Sequence, residues 1–348
     1  MDATIYTHKL TTKKDDPIVT DALMILRPRL PVSIPLLRRL QFGRFFEATT
    51  LLTSIENLHD EAPEGQPWLI AFVDRTCRPE TETYLYASWE SSSTPDLSDE
   101  EKLAQDSLVR SLAKAIKNLG ALPVSLHQDV LDKAALASAS SNNDDEQDTS
   151  GVSRKDYTAH LLNPNLILCG AVHSSTTNIL ERNNLIKHVF EAGLVPNWTF
   201  IFNISELPPV PELPEGLYWG ELRYEHFALV RSRTQIPRQD RTLAELPNLA
   251  IYHGGVPIAW VFVGLDGSLT TLHVEQEWRG KGLARTIAIK LWKEKMGRFW
   301  ERDEEVPGER WAHDYVISGN EASKKVSERL GGRYYADTYW VRVDLEKA

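Results

Sequence analysis

Two glycines stand two residues apart in Arg279-Gly280-Lys281-Gly282-Leu283-Ala284. A glycine lets the backbone approach a ligand with no Cβ in the way, and a helix starting just after it presents N–H groups that have no acceptor of their own. Together these make an anion site. The dinucleotide fingerprint would need a third glycine where Arg285 stands, and a P-loop would need Ser or Thr directly after Gly-Lys, where Gly282 stands. Both are excluded. The elements around the turn suit such a site. Ser268 to Val274 is rich in β-branched and aliphatic residues and follows an Asp266-Gly267 turn, so it reads as a buried strand. Leu283, Ile287 and Leu291, with Ala284 and Ala288 beside them, give the following helix an apolar stripe opposite Arg285, Lys290 and Lys293.

A second stretch has the same order of strand, turn and helix. Val316-Ile317-Ser318-Gly319-Asn320-Glu321-Ala322-Ser323 runs on to Val326, Ser327, Leu330, Gly331 and Gly332. Asn320 suits a helix N-cap and Gly331 a left-handed C-terminal stop.

In this order the two stretches resemble motifs A and B of the GCN5-related N-acetyltransferases (GNAT). Arg279-Gly280-Lys281-Gly282-Leu283-Ala284 fits the common RGxGxA form, although Glu277 stands where the motif prefers Gln or Arg. Asn320, Ser323, Val326, Leu330 and Gly331 fall on the steps of motif B. Leu213 to Gly216, Tyr224 to Val230, Gly255 to Trp260 and Trp278 to Leu283 are similar to glycine N-acyltransferases and their relatives. Pro67 to Trp89 is so more loosely, and the Ser138–Gly151 insertion departs from the pattern.

The resemblance implies an α/β (α+β) fold of tandem GNAT-like domains, each a mixed central sheet flanked by helices, the first degenerate and the second catalytic. It implies transfer of an acetyl or other acyl group from coenzyme A to the amine of a small molecule or amino acid by direct attack, with no metal. By carry-over, the amides of Arg279, Gly280, Lys281, Gly282, Leu283 and Ala284 hold the pyrophosphate. Leu272, His273 and Val274 supply the main-chain edge for pantetheine, which Asn320 and Ser323 flank. Glycine acyltransferases place a glutamate base at the position aligned with Ser268, and many acetyltransferases a tyrosine acid at the position of Ser327. Both are departures.

Direct attack still requires a proton acceptor for the amine. His226 is the best replacement by chemistry, since imidazole titrates near neutrality, and it lies in the segment that lines the acceptor side in this fold. Asp266, Glu275 and His273 are lesser candidates. Strict alternation along the strand sets His273 on the face opposite Ser268. Two readings from other classes stand beside the enzyme: a coenzyme A-binding protein without turnover, and a partner-binding protein using the acidic first part as its interface.

The remainder of the chain positions this chemistry. Its 348 residues, 42% hydrophobic, suffice for two domains with ample cores. Four prolines within 208–214 stiffen the backbone and mark the expected boundary between domains 1–205 and 206–348. The first part is expected to hold a helix over 32–42, strands over 68–73 and 83–89, a capped helix from Ser98 to Leu119, a strand over 166–172, a helix over 178–190 and a strand over 198–202. Residues 138–151, polar and acidic, read as a disordered surface loop. The second part is expected to add a strand over 216–222, a helix over 224–231 and a hairpin around His253-Gly254-Gly255.

The net charge of −10 disfavours a nucleic-acid surface, and the excess of acid sits mostly in the first part. No apolar run reaches the roughly 18 residues of a membrane span, and the first residues show neither a secretory h-region nor a transit peptide. A cytoplasmic location is expected. Cys77 and Cys169, among aliphatic neighbours, read as free buried thiols, and His127, His160 and His173 lack metal-ligand spacing.

Overall fold

The computed structural model describes residues 2–348 except 12–15, 92–97, 139–159, 191–192, 235 and 301–309. The expected loop at 138–151 therefore lies, beyond Ser138, outside the described residues. Among the described residues two compact units are formed, one from residues up to 138, 160–196 and 337–348, the other from 197–336.

The first unit contains β1 (Tyr6–Lys9), α1 (Pro17–Leu26), α2 (Ile34–Phe42), β2 (Thr50–Thr53), β3 (Leu69–Val73), β4 (Thr83–Ala87), α3 (Asp99–Lys117), α4 (Gln128–Ser138), β5 (Leu166–His173) and α5 (Ser174–Arg182). Strands β1 to β4 pair antiparallel in sequence order, and β4 then meets β5 in parallel. Every residue of β3 is buried. Period-two alternation divides them between two cores, as a sheet covered on both faces requires. Ile70 and Phe72 pack with Leu23, Leu26 and Leu37, and Leu69, Ala71 and Val73 with Leu108, Leu112 and Ile179. Burying each of these side chains larger than alanine contributes roughly 1.5–3 kcal/mol.

Local chemistry sets the helix ends. Asp16 accepts from the Ile18 N–H at 3.0 Å with Pro17 behind it, and Gly43, at φ 72°, stops α2. The α5 helix lies earlier than the expected 178–190. His173 caps it through the Ser175 N–H, and Asn184, at φ 55°, turns the chain away so that Ile186 bridges to Val343. A buried clamp fixes the turn between β3 and β4: Arg78 pairs with Glu82 at 3.2 Å and donates to the carbonyls of His160 and Asn163, while Glu82 accepts from the Leu168 N–H. Cys77 and Cys169 are free, and burial pushes both thiols up.

The second unit contains β6 (Asn197–Asn203), β7 (Leu217–Gly220), α6 (Phe227–Ser232), α7 (Asp240–Glu245), β8 (Asn248–His253), β9 (Val256–Val263), β10 (Ser268–Val274), α8 (Leu283–Lys295), α9 (Gly297–Trp300), β11 (Trp311–Ile317) and α10 (Glu321–Arg329). Its strands run in the order β6-β11-β10-β9-β8-β7. Strand β6, which precedes the proline run, pairs residue for residue with β11 from Trp311↔Asn203 to Ile317↔Asn197. The last strand, β12 (Arg333–Asp344), begins in the second unit and runs through residues of the first, pairing antiparallel with β5. The segment expected as one helix over 224–231 is a 3-10 turn, Tyr224–His226, followed by α6. Helix α8 covers β8, β9 and β10 and buries Leu283, Ile287 and Leu291 as expected, with Trp292 against Phe202 at 4.4 Å.

Candidate functional site

Strands β10 and β11 run in parallel register only at Ser268↔His313 and Leu269↔Asp314, whereas β10 stays paired with β9 to Val274. Beyond Leu269 the two strands fork, and Thr270 to Val274 are half-buried while Ser268 and Leu269 are buried. One edge of β10 therefore offers main-chain groups that no neighbouring strand takes up.

The same strand holds a bulge. Thr270 pairs with Phe262 and His273 with Trp260, so one extra residue of β10 is accommodated, and Thr271 takes φ 55°. A bulge of one residue inverts the alternation beyond it. Phe262 and Trp260 share a face of β9, so His273 shares a face with Ser268 and Thr270. The parity expected from the sequence is thus corrected: His273 does not face away from Ser268.

The glycine turn leads from this edge into α8. Gly280 and Gly282 have φ 76° and 79°, in the left-handed region that favours glycine. A Cβ added at either would meet no atom within 4 Å, so the backbone angle rather than packing demands glycine. No side chain caps α8. Among the described residues, the N–H groups of Gly280, Lys281, Gly282, Leu283 and Ala284 meet no acceptor. Arg279 fastens the turn to the end of β10 through Nε to the Val274 carbonyl at 2.9 Å, and Lys281 Nζ lies 4.3 Å over Trp278. The bare amides, the two cations and the open edge fit the anionic and amide-bearing parts of an acyl-coenzyme A.

On the other side of the fork, Asn320 Oδ1 accepts from the Ser323 N–H at 3.1 Å and caps α10. Ser327, one turn further, is buried and its hydroxyl donates to Asp314 Oδ2 at 2.6 Å. Burial pushes the Asp314 carboxyl up to about 7 against the lowering effect of that hydrogen bond. Asp314 escaped notice in the sequence, although a lone carboxylate inside the apolar strand Trp311-Ala312-His313-Asp314-Tyr315-Val316-Ile317 is the signal for it.

The face shared by Ser268, Thr270 and His273 carries most of the remaining polar groups. Ser268 donates to Asp266 Oδ1 at 2.6 Å, and His313 Nε2 lies 4.0 Å from Asp266 Oδ2 and 3.0 Å from the Tyr315 hydroxyl. Arg238 donates to Thr270 Oγ1 at 2.7 Å. His273 stacks on Trp260 with ring centroids 4.6 Å apart, and its Nε2 lies 3.4 Å from Glu275, which Arg233 holds at 3.0 Å. Desolvation lowers the His273 pKa despite Glu275 and so favours the neutral ring. His226 is engaged elsewhere: Nδ1 accepts the Arg223 N–H at 3.0 Å, Nε2 lies 3.9 Å from Glu225, and the ring meets the edge of Tyr252.

Residues 3–199 match a family described as the acyl-CoA N-acyltransferase verG N-terminal domain. The chain belongs to this family. Among solved structures, a Drosophila protein is similar over 97% of this chain and 98% of its own, with 13% identity and a TM-score of 0.57. A tandem GNAT protein from the clavulanic acid biosynthesis pathway, at 12% identity over 98% of this chain and 99% of its own, has a TM-score of 0.44. A GCN5-related N-acetyltransferase from Sphaerobacter thermophilus, at 11% identity over 98% of this chain and 96% of its own, has the same score. No curated protein matches the chain.

The α/β (α+β) fold expected from the sequence is the one found, a large mixed sheet flanked by helices. Membership of this acyl-CoA N-acyltransferase family makes acyl transfer the general chemistry at issue. The family match ends at residue 199, ahead of the fork and the glycine turn, so the site residues rest on their own geometry. Among the described residues, no helix is long and apolar enough to cross a membrane and no group of three His, Cys, Asp or Glu is placed to hold a metal ion.

Proposed function

We propose that the chain transfers an acetyl or other acyl group from coenzyme A to the amine of a small molecule or amino acid, with the chemistry in residues 206–348 and residues 1–205 as a degenerate companion domain. The observation that carries this reading is one continuous path: a glycine turn with unmet amides, opening onto the unpaired edge of a bulged strand that ends in a fork. The amides of Gly280 to Ala284 would hold the pyrophosphate at the positive end of α8. The edge at Leu272 to Val274 would pair with the pantetheine amides, beside Asn320 and Ser323. A main-chain N–H in the bulge would polarise the thioester carbonyl, which is worth most where water is excluded.

The amine must reach the carbonyl as a neutral nucleophile. His273 suits the base better than His226 because it lies on the face of Ser268, with desolvation favouring its neutral form and Glu275 3.4 Å from its Nε2. His226 spends its Nδ1 lone pair on a backbone N–H, so taking up a proton through Nε2 would require shifting the tautomer and breaking the turn. Ser268, tied to Asp266, can order a water but takes up no further proton near neutrality. The absence of a glutamate at 268 also favours a second reading, a coenzyme A-binding protein without turnover.

Calorimetry with coenzyme A and a free-thiol assay with acyl-CoA donors and small amines test both. Binding with thiol release dependent on an amine is expected; binding without release selects the second reading, and no binding overturns both.

A further inference from the structure

The His273 ring has one nitrogen sealed and another part open. Nε2 is buried, yet the side chain as a whole is 15% exposed, so the exposure belongs to the other atoms of the side chain. Trp260, itself buried, covers one face of the ring, with centroids 4.6 Å apart and planes 21° from parallel. At the sealed edge stands Glu275, its Oε2 3.4 Å from Nε2. That carboxylate is shared. Arg233, just past the end of α6, donates through Nε to Glu275 Oε1 at 3.0 Å and Oε2 at 3.4 Å. The Glu275 backbone is fixed as well, its N–H donating to the Ile258 carbonyl at 2.9 Å. A neutral imidazole keeps its proton on the nitrogen beside a carboxylate and its lone pair on the other. In His273 the lone pair then falls on Nδ1, away from Glu275.

We propose that Glu275 is a positioning residue that makes Nδ1 the proton-accepting atom of His273, and that Arg233 sets how strongly Glu275 acts on the ring. This rests on the acyl-transfer reading above, with His273 as its base. The amine nitrogen attacks the thioester carbonyl carbon and the C–N bond forms. The C–S bond breaks, and its electron pair leaves on sulfur. The proton shed by nitrogen passes to Nδ1, and the imidazolium so formed lies between the Glu275 carboxylate and the Trp260 ring face, both of which stabilise a cation. It returns its proton to solvent, from which the thiolate takes one. After desolvation, the largest influence on the ring, Glu275 favours the protonated form, while Arg279 and Arg233 oppose it. Arg238, on the same face, is turned to Thr270. Glu275 and Arg233 thus pull the base in opposite directions.

Substitutions in the full-length chain separate this from a merely structural ion pair. Glu275→Gln removes the anion, so the acid limb of kcat should move to lower pH, by about half a pH unit for so exposed a pair. The tautomer is then no longer fixed, and kcat above the limb should fall about tenfold or more, with KM for the donor within about threefold. Arg233→Gln should move the limb the other way by a similar interval, and Arg233→Lys, which keeps the charge, should leave it in place. A bond that only holds the backbone would move neither limb. In the unsubstituted chain labelled at histidine, ring 15N shifts above the limb should show Nε2 protonated and Nδ1 bare; a ring protonated at Nδ1 overturns the proposal without recourse to any variant. Thiol release whose limb stays put, or moves the same way, in both Gln variants overturns the proposal and leaves acyl transfer standing. No thiol release with any donor and amine overturns the acyl-transfer reading and this proposal with it.

Discussion

The two units hold the same pair of parallel strands and treat it in opposite ways. In the first, β4 meets β5 at Thr83↔Cys169; in the second, β10 meets β11 at Ser268↔His313 and Leu269↔Asp314. Strand β4 is regular against β3 and buried throughout, and just past its end Trp89 Nε1 donates to Thr176 Oγ1, which in turn donates to Glu90 Oε1. Those side chains tie the end of β4 to the first turn of α5. The helix after β4 is closed as well, since the Ser98 hydroxyl and Glu101 form a reciprocal capping box at the start of α3. In the second unit, β10 is bulged and half-exposed and α8 begins at a bare glycine. Both units thus share a backbone plan. What separates them is whether its polar ends are met by the chain's own side chains or left for something else, which is where a fold acquires a function.

The largest effect that would break this comparison is at the glycine turn. In Gly282→Trp the Cβ meets nothing within 4 Å, but φ 79° is unfavourable for any other residue and the ring would cover the bare amides. Coenzyme A affinity should fall about a hundredfold or more, roughly 2.7 kcal/mol, with the variant still folded by circular dichroism. Calorimetry showing unchanged affinity would mean that the unmet amides of the second unit are not a ligand site, and the contrast between the units would lose its functional meaning.

Next comes the base. His273→Ala should lower kcat by about a hundredfold, whereas His226→Ala should cost about 1 kcal/mol of stability through the lost turn hydrogen bond and leave kcat within about threefold. The sign of the pH effect follows from the lowered His273 pKa: the ring must be neutral to accept a proton, so activity should fall at acidic pH, below the ordinary imidazole value of 6.5. That limb should disappear in His273→Ala and persist in His226→Ala. The reverse pattern would restore His226 as the base.

Much of this was legible in the sequence because it is local. Gly280 and Gly282 between a β-branched strand and an apolar helix stripe announce the turn, Asn320 and Gly331 announce a capped helix, and Ser98 with Glu101 announces a capping box. The bulge left no such trace. Ser268-Leu269-Thr270-Thr271-Leu272-His273-Val274 alternates passably in either parity, and the extra residue is fixed by what β9 offers opposite it, so the facing of His273 was misread. Asp314 and the pairing of β6 with β11 were hidden for a related reason. Both depend on partners distant in sequence, Ser327 on α10 and the strand at 311–317, to which local spacing is blind.

The smallest effect sharpens the comparison from the side of the first unit. Glu90 is buried, and desolvation pushes its carboxyl up to about 8, against the hydrogen bonds from Thr176 and the Ala87 backbone. The unfolded chain titrates this group near the ordinary glutamate value of about 4.3. Its folded pKa is raised, so its contribution to stability is fully present below about 4.3 and declines as pH rises to about 8, because the folded state holds a proton that the unfolded state has released. The first unit should therefore lose stability across the neutral range through this one group. Glu90→Gln keeps an oxygen to accept from Thr176 but never ionises, so thermal melts should show it stabilising the protein at pH 8 by on the order of a few kcal/mol and by little at pH 5, with coenzyme A affinity unchanged. A variant with the same pH dependence as the parent would mean that Glu90 ionises freely. The bridge to Thr176 would then not be the neutral closure that distinguishes the first unit from the second.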